Sequence, residues 1–233
     1  MAARTTLLNS VSMLLVFFSG QCIAEEPTDD LAKFVDHWGG KLRKHTAADG
    51  STRVGVDLMS PTLRGRNVTD AQLKELARYQ EITSLLVFSP SITDDGVAAI
   101  GQLSNLRYLS LSSTNVAGTC LKELVKCKSL EGISFYQTPI SNSAISNLKK
   151  IKGLASISLS DTAITDEGMK SLAECNDLDT IIIHKCKVTD KGIAELAKLK
   201  GLLYLGVGKD TQVTELGCRA LRKALPDCRV VWR

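Results

Sequence analysis

The chain has 233 residues, and its 29 basic and 25 acidic side chains leave a formal charge of +4. So near a balance excludes the strong basic bias by which nucleic-acid binders hold phosphates. A hydrophobic content of 44% excludes disorder as the default state, and only 5% aromatic residues means that aliphatic side chains must fill the core.

The first 24 residues differ in composition from the rest. Arg4 supplies a basic start, residues 11–18 an apolar stretch, and Cys22-Ile23-Ala24 an end compatible with cleavage. This is the pattern of a secretory signal cut after Ala24. The stretch is much shorter than the ~20 apolar residues of a spanning helix. Acylation at Cys22 is the rival reading, which Gln21 fits poorly because a small residue belongs there. No later run is long and apolar enough to span a bilayer, so the expectation is a secreted or periplasmic chain without a membrane span.

Residues 25–53 read as an N-terminal capping helix and lead-in. Thr28 is the expected N-cap, and Asp29 and Asp30 suit the first turn. Leu31, Phe34, Val35 and Trp38 then share one helical face before Gly39-Gly40 stops the helix. His37 falls beside this helix and His45 in the loop expected after it. A first strand covers residues 54–58, where Val54, Val56 and Leu58 alternate. The loop at 60–67 is longer than its later counterparts.

From Val68 a 24-residue unit recurs, starting again at Ile92, Val116, Ile140, Ile164 and Val188, with a final capping unit from Val213. Five and eight positions on stand residues such as Leu73 and Leu76, or Ile145 and Leu148, spaced as on a helix. Seventeen and nineteen on stand pairs such as Leu85 and Val87, or Ile157 and Leu159, spaced as on a strand. Thr-Asp follows the first column in Thr69-Asp70, Thr93-Asp94, Thr165-Asp166 and Thr189-Asp190, with Thr214-Glu215 as a variant. A hydroxyl acceptor there caps a helix and the acid suits its dipole, which outweighs reading the four aspartates as a calcium ladder. A fixed period of this length predicts a single solenoid over residues 54–233: strands lining the concave side, helices the convex one.

Seven cysteines in an exported chain raise the question of disulfides. Cys22 leaves with the signal. Cys127 and Cys175 share a column with Leu103, Ile151 and Leu199, so they read as small core residues. They lie two strands apart, roughly 10 Å, too far to bridge. Cys218 replaces a core aliphatic, while Cys120 and Cys186 are expected at less buried columns. Pairing of Cys218 with Cys228 stays open.

The run Leu-x-x-Leu-x-Leu-x-x-Thr-x-Val/Ile-Thr-Asp-x-Gly resembles the leucine-rich repeat family over residues 54–233. It is clearest in residues 106–114 and 164–169. Thr114, Thr138, Thr162 and Thr211 take the place where many such repeats have Asn or Cys, with Cys186 once and Pro90 as the exception. The Thr-Asp-x-Gly variant and the Ala-Leu-Pro-Asp-Cys ending look like secreted planctomycete repeat proteins, and also like the cysteine-containing repeats of F-box ubiquitin-ligase receptors. The chain shows no F-box-like domain, which leaves that relation remote. The resemblance implies an α/β horseshoe that binds protein and brings no shared catalytic residues.

Candidate chemistry is sparse. The three histidines make no metal-spaced pair, and no Gly-x-Ser-x-Gly elbow or Gly-rich phosphate loop occurs. No catalytic residue, metal or cofactor is therefore assigned. Side chains between the buried strand columns point outward. They give a hydroxyl ladder, Ser110, Ser112, Ser158 and Ser160, flanked by Phe88, Tyr108, Tyr136, His184 and Tyr204. Aromatic anchors amid small polar residues fit a recognition surface; small, soluble residues tolerated on an exposed sheet are the bland alternative. The expectation is a monomeric, non-catalytic protein-binding module, its partner a protein such as a cell-envelope component, with a glycan or cell-wall ligand as the alternative.

Overall fold

The computed structural model describes residues 29–59 and 68–233. The proposed signal segment, the Thr28 cap and the loop at 60–67 lie outside those residues. Among the described residues nine strands form one sheet in sequential order. They are β1 (Lys41–Thr46), β2 (Thr52–Leu58), β3 (Ile82–Phe88), β4 (Tyr108–Ser112), β5 (Gly132–Tyr136), β6 (Ser156–Ser160), β7 (Thr180–His184), β8 (Tyr204–Val207) and β9 (Arg229–Trp232). From β2 onward every pair is parallel, and the register joins Leu85, Leu109, Ile133, Ile157, Ile181, Leu205 and Val230 in one row.

The helices run back along the other side: α1 (Asp29–His37), α2 (Asp70–Leu76), α3 (Asp94–Ile100), α4 (Asn142–Ile145), α5 (Asp166–Leu172), α6 (Asp190–Glu195) and α7 (Glu215–Ala224). The unit starting at Val116 has two 3-10 turns, Thr119–Lys122 and Leu124–Lys126, in place of an α-helix. There Ala117 stands in place of the capping threonine, and the N-cap is Gly118, in the left-handed region at φ 101°, which offers no side-chain acceptor.

All four apolar columns meet in one continuous core, and only the terminal Trp232 stays partly exposed. Each Leu or Ile so enclosed contributes roughly 1.5–3 kcal/mol. At the N-terminal end Leu31 and Val35 of α1 are buried against this core, with Phe34 and Trp38 packed beside them.

Two expectations need correction, and one open question is answered. Residues 41–46 are no loop: β1 pairs antiparallel with β2, His45 opposite Arg53. The cover of the open end is thus a helix and a strand. Cys120 and Cys186, expected at less buried columns, are only 2% and 3% exposed. Cys186 falls in the buried threonine row, where its thiol faces Thr162 Oγ1 at 3.3 Å and reaches the Leu159 carbonyl. Cys218 and Cys228 do not pair; all six described cysteines are free.

The Thr-Asp pairs do more than start helices. Thr69, Thr93, Thr189 and Thr214 accept backbone N–H bonds as N-caps. Each aspartate also reaches across to the next repeat. Thr93 donates its amide (2.8 Å) and its hydroxyl (2.6 Å) to Asp70. Thr189 does the same to Asp166, and Thr214 to Asp190. Asp94 meets no threonine and instead accepts the amides of Ala117, Gly118 and Cys120, each at 2.9 Å. Asn142 serves Thr165 in the same way, donating to its hydroxyl, so Thr165 makes no side-chain cap of its own.

Candidate functional site

The outward face of the sheet carries three rows. In the row nearest the strand ends, Phe88, Ser112, Tyr136, Ser160 and His184 are consecutive register partners. Phe88 and Tyr136 are the exposed members, at 40% and 36%. Between them Ser112 is almost covered, as is Ser110 beside Leu86 in the middle row. Ser158 and Ser160 are half-buried. His184 is also half-buried; burial holds its imidazole below the ordinary pKa, opposed by Asp210 and reinforced by Arg233.

The other two aromatics are held differently. The Tyr108 hydroxyl donates to Glu131 Oε2 at 2.9 Å, and the same carboxylate pairs with Arg107. Burial, with Glu131 beside it, pushes the Tyr108 phenol up to about 12. Tyr204 is largely covered, its ring lying against Gly206. Of the five flanking side chains, Phe88 and Tyr136 are therefore the ones whose rings face solvent most openly.

A feature not read from the sequence lies just beyond the strand ends. Ser113, Gln137, Asp161 and Lys185, one per repeat, adopt left-handed backbone at φ 48°, 49°, 54° and 49°. None is glycine, so each carries some strain. Their amides are nonetheless satisfied: Ser113 N–H donates to the Tyr136 carbonyl, Gln137 to that of Ser160 and Asp161 to that of His184. The side chains form a chain of their own, Ser113 Oγ donating to Gln137 Oε1 and Gln137 Nε2 to Asp161 Oδ2, both at 3.0 Å. Beneath them run Thr114 and Thr138, hydroxyls 3.3 Å apart and buried. Together with Asn115, Pro139 and Ala163 they line an open groove of about 490 Å³. The signal for it was a polar position at a fixed place after each strand, which without glycine gives no hint of its backbone.

Among the described residues no group of three or more potential metal ligands gathers, and no helix is long and apolar enough to cross a membrane.

The sequence profile of the leucine-rich repeat family matches residues 154–173. No curated protein sequence matches the chain. Among solved structures, one internalin from Listeria monocytogenes is similar at 17% identity and a TM-score of 0.46, over 70% of this chain and 62% of that one. The chain thus spans less than two-thirds of that protein. An internalin C2 from the same organism is similar at 20% identity and a TM-score of 0.46, over 70% of this chain and 74% of that one. The sequential sheet, the helices stacked behind it and the matched repeat identify the chain as a leucine-rich-repeat solenoid.

Proposed function

We propose that this chain is a non-catalytic protein-binding module that acts outside the cytoplasm and takes its ligand on the concave sheet. Leucine-rich-repeat modules generally bind proteins, through the extended face that stacking creates. The observation that carries the reading is the pair Phe88 and Tyr136, exposed in one register row with Ser112 between them. Their strands stand two apart, roughly 10 Å, so one partner side chain or backbone segment can cover both rings. Enclosing each ring is worth roughly 1.5–3 kcal/mol. Tyr108, Ser110, Ser112, Ser158, Ser160, His184 and Tyr204 shape the surface around them.

Action outside the cytoplasm rests on the signal-like residues 1–24, with a cell-envelope protein as the partner and the module itself a monomer. The test is crosslinking capture from native cell envelope, comparing the wild type with the Phe88→Ala/Tyr136→Ala variant. The variant is expected to lose at least tenfold of the captured partner at unchanged Tm. Undiminished capture would remove the concave face from consideration. Retention on polysaccharide resin without protein capture would favour a glycan ligand instead.

A further inference from the structure

The row nearest the strand ends alternates ring and hydroxyl: Phe88, Ser112, Tyr136, Ser160 and His184 are register partners on five successive strands. The alternation makes two recesses side by side. Phe88 and Tyr136 wall the first, with Ser112 as its floor. Tyr136 and His184 wall the second, with Ser160 as its floor. The second is the wider, because His184 leans over Gly208, its Nδ1 2.6 Å from where a Cβ on that glycine would stand.

The floors are polar and unspent. Ser112 is only 3% exposed, yet its hydroxyl makes no hydrogen bond among the described residues and still reaches the surface. The hydroxyl of Ser160, half-buried, makes none among them either. A ligand that covers these hydroxyls takes their water away and must supply a partner in its place. No Lys, Arg, Asp or Glu stands in the outward rows of β3 to β7. A charged ligand group would meet no countercharge in those rows, so an uncharged ligand fits them best.

The two recesses lie two strands apart, roughly 9.6 Å at ~4.8 Å per strand. That separation selects the backbone of the ligand. An extended strand repeats its side chains on one face every ~6.8 Å. An α-helix returns to the same face after seven residues, ~10.5 Å, but its i+3 and i+4 side chains, ~4.5–6 Å along, would land on the Tyr136 ring between the recesses. A polyproline II helix has three residues per turn at ~3.1 Å each, so residues i and i+3 share a face ~9.3 Å apart. Its carbonyls have no internal hydrogen bond and take donors, which serine hydroxyls are.

We infer that the protein partner presents a proline-rich polyproline II segment, laid across β3 to β7 with residues i and i+3 in the two recesses. This rests on the protein-binding reading and adds to it the conformation and composition of the bound segment. A proline ring is compact and uncharged and packs between aromatic walls, here Phe88 and Tyr136. Ser112 and Ser160 donate to the carbonyls beside it. A sugar ring carries hydroxyls all round and needs several partners, whereas each recess floor offers one.

The test is an NMR titration of the full 15N-labelled chain with two peptides, both acetylated and amidated. One is Pro-Ala-Ala-Pro-Ala-Ala-Pro, with prolines three apart. The other is Pro-Ala-Pro-Ala-Pro-Ala-Pro, which has more prolines but none three apart. Saturable shifts of the Ser112, Tyr136 and Ser160 amides are expected with the first, and binding at least fivefold weaker with the second. Tyr136→Ala removes the wall shared by both recesses. It is expected to weaken binding of the first peptide at least tenfold, its amide spectrum elsewhere unchanged. No saturable shift with the first peptide, equal binding of the two, or undiminished binding by Tyr136→Ala would each overturn the inference. Shifts of these amides with cellohexaose and with neither peptide would overturn it in favour of a glycan. Failure with the peptides alone leaves the concave-face reading standing, because that is decided separately by partner capture with the Phe88→Ala/Tyr136→Ala variant.

Discussion

Gly96 lies directly beneath the carboxylate of Asp70 in the preceding repeat, so close that a Cβ on residue 96 would overlap it. The same holds for Gly192 beneath Asp166 and Gly217 beneath Asp190. Thr-Asp-x-Gly is therefore one device spread over two repeats. The aspartate of one bonds the threonine of the next, and the glycine clears its path.

Helix propensity alone would make Gly96→Ala stabilising by about 1 kcal/mol. The overlap with Asp70 reverses the sign, and a loss of about 1–3 kcal/mol is expected from forced displacement. Urea denaturation measures it. Gly201→Ala, whose Cβ would meet open space, serves as control and is expected to change little. Asp70→Ala combined with Gly96→Ala should cost less than the two separate losses added, since each single change removes what the other disturbs.

Asp94 makes stability depend on pH. Burial works against its charged form, but the bonds from Cys120, Ala117 and Gly118 outweigh burial and hold its pKa below the ordinary value. A carboxyl depressed in the folded state contributes stability above its unfolded pKa and loses it as pH falls through the lowered one. Asp94→Asn is expected to cost about 1–3 kcal/mol at neutral pH and to flatten the acid limb of the stability curve. An acid limb identical to wild type would show that Asp94 is not its source.

Burial pushes the thiols of Cys127 and Cys228 up to about 11 and that of Cys175 up to about 12. Since the thiolate is the reactive form, the six described thiols should resist a disulfide reagent in the native chain and react at once in denaturant. Rapid native labelling of any of them would contradict the burial described here.

The last strand is guarded. The Arg229 amide donates to the Leu203 carbonyl just ahead of β8 and the Arg233 amide to that of Val207 in β8, so Val230 directs its polar groups to the outer edge. Arg222 donates to the Val230 carbonyl from Nε (3.2 Å) and Nη2 (3.0 Å), while its Nη1 pairs with Glu215. Arg222→Ala frees that carbonyl, and open sheet edges pair with one another. Concentration-dependent self-association by light scattering is the expected result; a variant monomeric at all concentrations would assign the guard elsewhere.

The apolar columns were legible because a core position allows few residue types and the period repeats them. β1 was not: Lys-Leu-Arg-Lys-His-Thr has no buried face to alternate against, and its place comes from backbone pairing with β2. Cys186 misled because neighbouring repeats put threonine in its column, and Cys120 because its neighbours there, Gly96 and Ala144, carry too little side chain to mark a buried position. In the Cys186 column Thr114 and Thr138 are in fact buried and bonded to each other. On the candidate face, strand alternation identified the outward residues, but it could not tell the exposed Tyr136 from Tyr108, tied to Glu131. That tie makes Tyr108→Ala a change of shape as well as of surface.

One repeat breaks the aspartate–glycine rule and is answered by its neighbour. Ala117 stands where the others have threonine or serine and Gly118 where they have an acid or asparagine, and Ala144 of the next unit, in place of glycine, packs its methyl onto Gly118. The units are therefore not interchangeable bricks. Excising residues 164–187 would bring Asn142 over Gly192, a seat shaped to receive it. Excising 116–139 would bring Asp94 against the methyl of Ala144. Shortening by recombination is thus permitted at one junction and obstructed at the other, which makes the order of units a heritable property of the molecule as much as their number.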